Sequence, residues 1–485
     1  MNVAFRSTSE LAGMLRRREI GCRELLDYYA ERVERLNPRV NAVVTLDVER
    51  ARVRAGEADK ALARGEVWGP LHGVPFTVKD SYETAGLRTT CGWEQIATHV
   101  PETDAIAVAR LRAAGAVIFG KTNVPTLASD VQTYNPIFGT TANPWDDKRT
   151  PGGSSGGAAA ALAAGLTGGE IGSDIGGSIR TPSSWCGLFG HKPTWGIVPG
   201  RGHIPGPPGT LGEVDLGVFG PLGRGVDDLE LGLDVVAGPL PEDARAWRLE
   251  LPPRRHETAA GYRVAAWIDD SVYPLDAEVR GVLETAVEAL RASGVQVDDR
   301  ARPAVDFDDL VRVYFQLLYP IVLAGMPDAG FDNLVEIAGS LSPDDDSPMA
   351  RSARSATVRH RDWLHLHERR RKMQARFAEF FREHDALLMP VVPVAAIPHD
   401  HSEPFASRTM TVNGAPRSYI DLFTWIAPAT LAHLPASVAP VGRTPGGLPV
   451  GMQIVGPYLE DRTTIDLARR MAEVVGGFSA PAGFV

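Results

Sequence analysis

The chain has 485 residues, 44% hydrophobic and 23% charged, enough for one large core or roughly two to three ordinary domains. Its net charge of −10 argues against nucleic acid as a partner, and no apolar run approaches the ~20 residues of a membrane span. Cys22, Cys91 and Cys186 form no CxxC pair, which excludes a disulfide framework and a structural zinc site; with no apolar leader at the N-terminus, a cytoplasmic protein is expected.

In chain order, residues 8 to 65 read as helices. Ser7, Thr8 or Ser9 can cap "ELAGMLRRREI", "CRELLDYYAERVERLNP" carries apolar residues at three- and four-residue spacing, and a third stretch runs through Ala63. From about 70 to 240, short apolar runs ("GVPFTVKD", "GAVIFGKT") alternate with glycine-rich turns and helical segments such as "DAIAVARLRAAG". That alternation predicts a mixed sheet covered by helices. "SSGGAAAALAAG" reads as a Ser-capped, closely packed helix. Farther on, "YRVAAWIDD" predicts a strand and "LDAEVRGVLETAVEALRASG" a helix. "SLSPDDDSP" (340–348) reads as a disordered loop. Residues 356–385 predict one long helix with Trp363, Leu366, Met373, Phe377 and Phe380 as a core stripe, and the run Arg369 to Lys372 as its solvated face. "ALLMPVVPVAAIP" and "LPVGMQIVGP" predict strands, and "DRTTIDLARRMAEVV" a closing helix.

Two serine–glycine clusters carry the chemistry: "TPGGSSGG" (150–157) and "GSDIGGSIR" (172–180). The first contains G-x-S-x-G, but "NPWDDKRTP" before it is no strand, so a nucleophile elbow fails on context. Phosphate binding lacks the GK[ST] ending. Ser178 follows a Gly-Gly pair whose N–H groups can surround an anion, yet no histidine lies near it. Lys79, in the mostly apolar "GVPFTVKD", supplies another base. A buried lysine pays desolvation unless it becomes neutral, and a neutral lysine can accept a proton. Asp80 points to the opposite strand face. His399 and His401 read as a surface turn, and no metal site is predicted.

Together, Lys79, "GGSSGG" and "SDIGGSIR" resemble the amidase signature family of Ser–cisSer–Lys hydrolases, including its spacing between Ser154 and Ser178 (178 minus 154, or 24 residues). "GKTNVPTLA", "FGTTANPW", "GHKPTWGIVP" and "GLPVGMQIVGP" extend the resemblance over nearly the whole chain. It implies an α/β fold, a large mixed β-sheet covered on both faces by helices. It also implies a single domain over 1–485, with an N-terminal helical region (1–69), a signature core (70–200) and a remainder (201–485) completing the sheet, the substrate pocket and the C-terminal helices.

Carried over residue by residue, the resemblance makes Ser178 the nucleophile, Ser154 the bridging serine after a cis Gly153–Ser154 bond, and Lys79 the base. The N–H groups of Ile175, Gly176, Gly177 and Ser178 form the oxyanion hole, and Ser155, Asp174 and Arg180 give structural support. Ala128, Ser129 and Asp130 are expected to line the acyl pocket, with "RGHIPGPPG" and "VYFQLLYP" (Tyr314, Phe315) on its other side. No cofactor and no metal are implied. The expected activity is hydrolysis of small or aryl amides, with esters and carbamates (a urethanase activity) within reach of the same chemistry. The expected partner is a small-molecule amide, and a homodimer is an allowed assembly. The alternative is the glutaminase subunit of a tRNA-dependent amidotransferase, from which the helical stretch 350–384 and the His399–His401 loop are expected to set the chain apart.

Overall fold

A computed structural model of the chain describes every residue except Met1, Asn2, Pro343 and Asp346, so part of the 340–348 loop lies outside the described residues. Near the N-terminus, α1 (Thr8–Arg16) is capped by Ser7, whose hydroxyl accepts from the Glu10 N–H while the Glu10 carboxylate accepts from Ser7 N–H. After α2 (Cys22–Leu36), the chain forms β1 (Val43–Leu46) and then α3 (Val48–Ala63). β1 corrects the all-helical expectation for this region. "VVTL" is β-branched and pairs antiparallel with β3 (Val117–Thr122), which runs parallel to β2 (Pro75–Lys79). α4 (Ile106–Ala113) connects β2 and β3.

A hairpin, β4 (Tyr134–Asn135) with β5 (Gly139–Thr140), precedes the buried α5 (Gly156–Ala163). The main sheet has eight strands: β6 (Glu170–Asp174), β7 (Phe189–Lys192), β8 (Val218–Gly223), β9 (Arg263–Ala266), β10 (Gln296–Asp298), β11 (Ala386–Pro390), β14 (Ala436–Arg443) and β15 (Pro449–Val455). Their order is β10-β9-β11-β15-β14-β7-β8-β6. β9 runs parallel to β10 and β11, and every other pairing is antiparallel, so the sheet is mixed. A separate hairpin, β12 (Thr409–Val412) with β13 (Ala415–Ser418), lies outside it.

Helices cover both faces. Ser437 of β14 meets Thr464 of α14 (Asp461–Val475) at 3.0 Å. Its neighbour Val438 points the other way, beside Gly451, whose N–H donates to Ser184 of α6 (Arg180–Cys186). The large mixed sheet is as expected, and a second, small sheet extends it. The three-stranded β1-β3-β2 sheet joins the edge of the eight-stranded one through the Phe76–Gly169 bridge. A Cβ on Gly169 would stand 2.2 Å from the Phe76 ring, so only glycine lets this seam close.

α7 (Val226–Val236) and α8 (Ala277–Ala292) pack on the sheet, and α9 (Phe307–Val322) and α10 (Asp328–Ser340) begin a helical cover. The long helix expected over 356–385 is α12 (His360–Phe380), a few residues shorter at each end, and a separate α11 (Pro348–Ala356) ends just before it. Between the two, the Thr357 hydroxyl donates to the Ala353 carbonyl in competition with the helix backbone. The strand expected over "ALLMPVVPVAAIP" stops at Pro390, because prolines lack the N–H a ladder needs. Arg370, read as part of a solvated face, is instead buried, donating to Asp215 at 2.7 Å and touching His367 Nδ1 at 2.6 Å. Burying a charge is costly, and partners of this kind replace the solvent it loses. Among the described residues, no helix is long and apolar enough to cross a membrane.

Candidate active site

Lys79 is the last residue of β2 and is fully buried. Its Nζ lies 2.7 Å from Ser154 Oγ and 2.9 Å from Ser173 Oγ. Burial pushes the amine down to about 7, against the weaker upward pull of Cys91, Asp174 and Glu170. Both carboxyl groups are occupied. Burial lifts Glu170 to about 8 and so favours its neutral form at neutral pH, with Thr122 Oγ1 and the Ile171 N–H donating to it. Burial also raises Asp174, but the charge and hydrogen bonds of Arg180 outweigh that and hold it at about 2. Asp80 turns away to Thr90 and to a second buried lysine, Lys121, 3.8 Å distant.

Ser154 lies in the loop before α5, and its bond to Gly153 is cis. The Ser155 N–H donates to the Ser178 carbonyl at 3.2 Å, which ties this loop to the second serine cluster. Ser155 occupies the N-cap position of α5 without making a capping bond, and its hydroxyl faces the Ser173 carbonyl at 3.4 Å. Ser178 sits in the turn from β6 into α6, with 7% of its surface exposed. Its Oγ makes no hydrogen bond with a described residue, so Ser178 is tied to the Ser154 loop through the Ser155 backbone rather than through its hydroxyl.

The turn adopts its shape because Gly177 takes φ +89°, where a Cβ would also strike Thr181 Oγ1 at 2.8 Å. Of the four expected oxyanion donors, Gly177 spends its N–H on Asp174 Oδ1 at 3.0 Å. Those of Ile175, Gly176 and Ser178 meet no acceptor among the described residues. Asp174 also accepts from the Ile179 N–H at 3.1 Å, so its carboxylate holds the turn from inside. Arg180 pairs with both Asp174 oxygens, at 2.8 and 3.0 Å. It continues to the Ile426 carbonyl, Gln453 Oε1 and Thr430 Oγ1 at 2.8, 2.6 and 2.7 Å.

Of the expected pocket residues, Ala128 is half-buried at φ +55° in an apolar cluster that includes Cys91, Val124 and Ile204. Ser129 is exposed and bonds Thr126 O at 2.7 Å. Asp130 is engaged by Arg408 at 2.6 Å and by Tyr419 Oη at 2.7 Å, leaving its carboxylate partnered within the protein. The wall beside the turn is aromatic. Tyr314 Oη donates to the Ile175 carbonyl at 3.0 Å, and a Cβ on Gly176 would stand 3.1 Å from the Phe423 ring. Phe315 and Phe405, both half-buried, flank Phe423 with ring centroids 6.4 Å away. Sequence reasoning missed Ser173 and His203, whose Nε2 lies 2.9 Å from Ser173 Oγ. Both stand inside the stretches "GSDIGGSIR" and "RGHIPGPPG", but nothing in their spacing signals the contact.

The family model described as Amidase matches residues 24–465. A glutamyl-tRNA(Gln) amidotransferase subunit from Thermosynechococcus vestitus is 31% identical over 95% of this chain and 96% of its own length. A solved structure described as a vestigial protein complex revealing the evolutionary origins of an s-triazine catabolic enzyme superposes with a TM-score of 0.80. It is 28% identical, over 98% of this chain and 99% of that one. The 6-aminohexanoate cyclic dimer hydrolase, solved with substrate, gives a TM-score of 0.78 at 25% identity, covering both chains completely at 100%. The chain belongs to the amidase signature family, whose enzymes hydrolyse carboxylic amide C–N bonds.

Proposed function

We propose that the chain cleaves amides through an acyl-enzyme on Ser178, with Lys79 as base and Ser154 as the relay between them. The observation that carries this reading is the buried amine of Lys79, 2.7 Å from Ser154 Oγ, beside a turn that presents Ser178. In acylation Ser178 Oγ bonds to the substrate carbonyl carbon. Its proton passes to Ser154 as the Ser154 proton passes to neutral Lys79. The carbonyl oxygen, now anionic, is held by the N–H groups of Ile175, Gly176 and Ser178; one such donor is worth about 3 kcal/mol. Gly177 contributes through its bond to Asp174, which sets the turn. The proton returns by the same route to the departing amine, the C–N bond breaks, and water then hydrolyses the ester.

The aromatic wall of Tyr314, Phe315, Phe405 and Phe423 supports small or aryl amides as substrates, with carbamates and esters as further candidates. A second reading, the glutaminase subunit of an amidotransferase complex, is favoured by the curated relatives found by sequence, which are described as amidotransferase subunits at 31–33% identity. A hydrolysis screen of the purified chain decides between them, using aliphatic amides, anilides, carbamates, linear oligoamides and glutamine. Turnover of anilides by the chain alone supports the first reading. Glutamine as the sole substrate establishes the second, and no hydrolysis of any of them refutes the first.

A further inference from the structure

We propose that His203 is a positioning residue for this machinery: through Ser173 it orients the Lys79 amine so that its lone pair faces Ser154. The inference rests on the reading of Lys79 as the base. Ser173 Oγ lies 2.9 Å from Lys79 Nζ and 2.9 Å from His203 Nε2, and it has a single proton to give. If that proton goes to His203 Nε2, Ser173 accepts an N–H from Lys79, and the lysine lone pair is left for the Ser154 hydroxyl. If His203 carries a proton on Nε2, Ser173 turns its own proton onto the lysine lone pair and blocks the base. The state of one imidazole thus selects between an open and an occupied base.

The open arrangement needs a neutral imidazole with its proton on Nδ1, and the surroundings meet the first of these conditions. Burial, and then the nearby amines of Lys79 and Lys121, push His203 well below its ordinary range and disfavour the imidazolium. Its ring is held between Tyr82 and Phe219, with centroids 4.9 and 4.8 Å away. The loop is fixed on both sides of the ring. The Glu83 N–H donates to the Gly202 carbonyl at 2.9 Å, and the Ile204 N–H to the Ser81 carbonyl at 2.7 Å. Ser81 to Glu83 follow closely on Lys79 in the chain, so the imidazole and the amine share one rigid frame. Packing alone would not require this histidine to meet the second partner of the base.

The test needs no knowledge of the substrate. An alkyl fluorophosphonate reacts with an activated serine, forming an O–P bond and releasing fluoride. The labelling rate of Ser178 is read by intact mass between about pH 5.5 and 9 for the wild type, His203→Phe, His203→Gln and Ser173→Ala. His203→Phe and Ser173→Ala are expected to label roughly tenfold to a hundredfold more slowly at the plateau. In Ser173→Ala the acid limb also moves to lower pH, because charged Lys79 has lost an acceptor. His203→Gln, whose carbonyl can still accept from Ser173, recovers most of the rate, a rescue that a purely structural role would not give. Should His203→Phe not fold, Ser173→Ala and His203→Gln carry the same test. Wild-type rates and an unchanged acid limb in the variants overturn the proposal. A wild type left unlabelled at Ser178 overturns the nucleophile reading beneath it, and this inference with it.

Discussion

Replacing Lys79 by Met removes the amine and leaves an apolar chain of similar length in the same buried space. Lowering the amine from 10.5 to about 7 corresponds to about 5 kcal/mol of native-state penalty. The variant gives up the contacts to Ser154 and Ser173, costing about 1 kcal/mol each. At pH 6 Lys79→Met is therefore more stable than the wild type by up to about 3 kcal/mol. The folded amine titrates below the unfolded one, so between pH 7 and 10.5 the unfolded state binds more protons and wild-type stability rises with pH across that window. The gap to the variant narrows by about 3 kcal/mol from pH 6 to pH 9 and is flat below pH 6. Denaturant unfolding followed by tryptophan fluorescence measures this, and the difference between the two proteins cancels every other titrating group. The same proton appears in catalysis. The rate constant kcat/KM falls about tenfold per pH unit below 7 and levels off above it, and Lys79→Met shows no turnover. A variant no more stable than the wild type at any pH, together with kcat/KM flat from pH 5.5 to 7, would refute the buried neutral lysine.

Ser178→Ala abolishes amide turnover while leaving the unfolding transition in place; retained hydrolysis would remove it as nucleophile. Phe423→Ala lowers kcat/KM for an aromatic acyl amide about tenfold and leaves an acetamide nearly unaffected, and an equal loss on both would show that the ring does not meet the acyl group. Arg370→Leu leaves the partly exposed Asp215 carboxylate with His433 as its remaining side-chain partner and costs about 2 kcal/mol; a change within 0.5 kcal/mol by denaturant unfolding would show the pair to be dispensable. Chelation with EDTA leaves turnover unchanged, because the amine of Lys79 supplies the base; loss of activity restored by added metal would point to a different one.

The site was legible where chemistry and local sequence coincide. Lys79 stands out as a charge in an apolar strand, and the two serines stand in glycine runs that only a sharp backbone needs. The contacts that complete the site escaped because they join residues that no local pattern connects. Ser173 and His203 lie 30 positions apart (203 minus 173), and a hydroxyl beside a histidine leaves no periodic trace. The resemblance places Gly177 in the oxyanion hole, yet a side chain three residues earlier takes its N–H. Arg370 shows the same limit on the fold side. In a run of basic residues each looks solvated, and only the loop carrying Asp215, 155 positions away, decides which one is buried. The strand Val43–Leu46 was overlooked between two helices because four residues are too few for a period to show.

The seam at Phe76 and Gly169 puts the proposed base and nucleophile on different sheets: Lys79 on the small one, Ser173 and the Ser178 turn on the large one. Activity therefore reports the docking of two layers rather than the survival of either. Each layer keeps its own ladder of hydrogen bonds, whereas few main-chain links cross the junction, such as Thr77 N–H to the Gly169 carbonyl at 3.2 Å. Partial opening along that line separates the amine from its serines before either layer melts. Warmed enzyme will lose turnover while its circular dichroism still looks native, and substitutions that staple this junction will prolong working life more than any that reinforce the core.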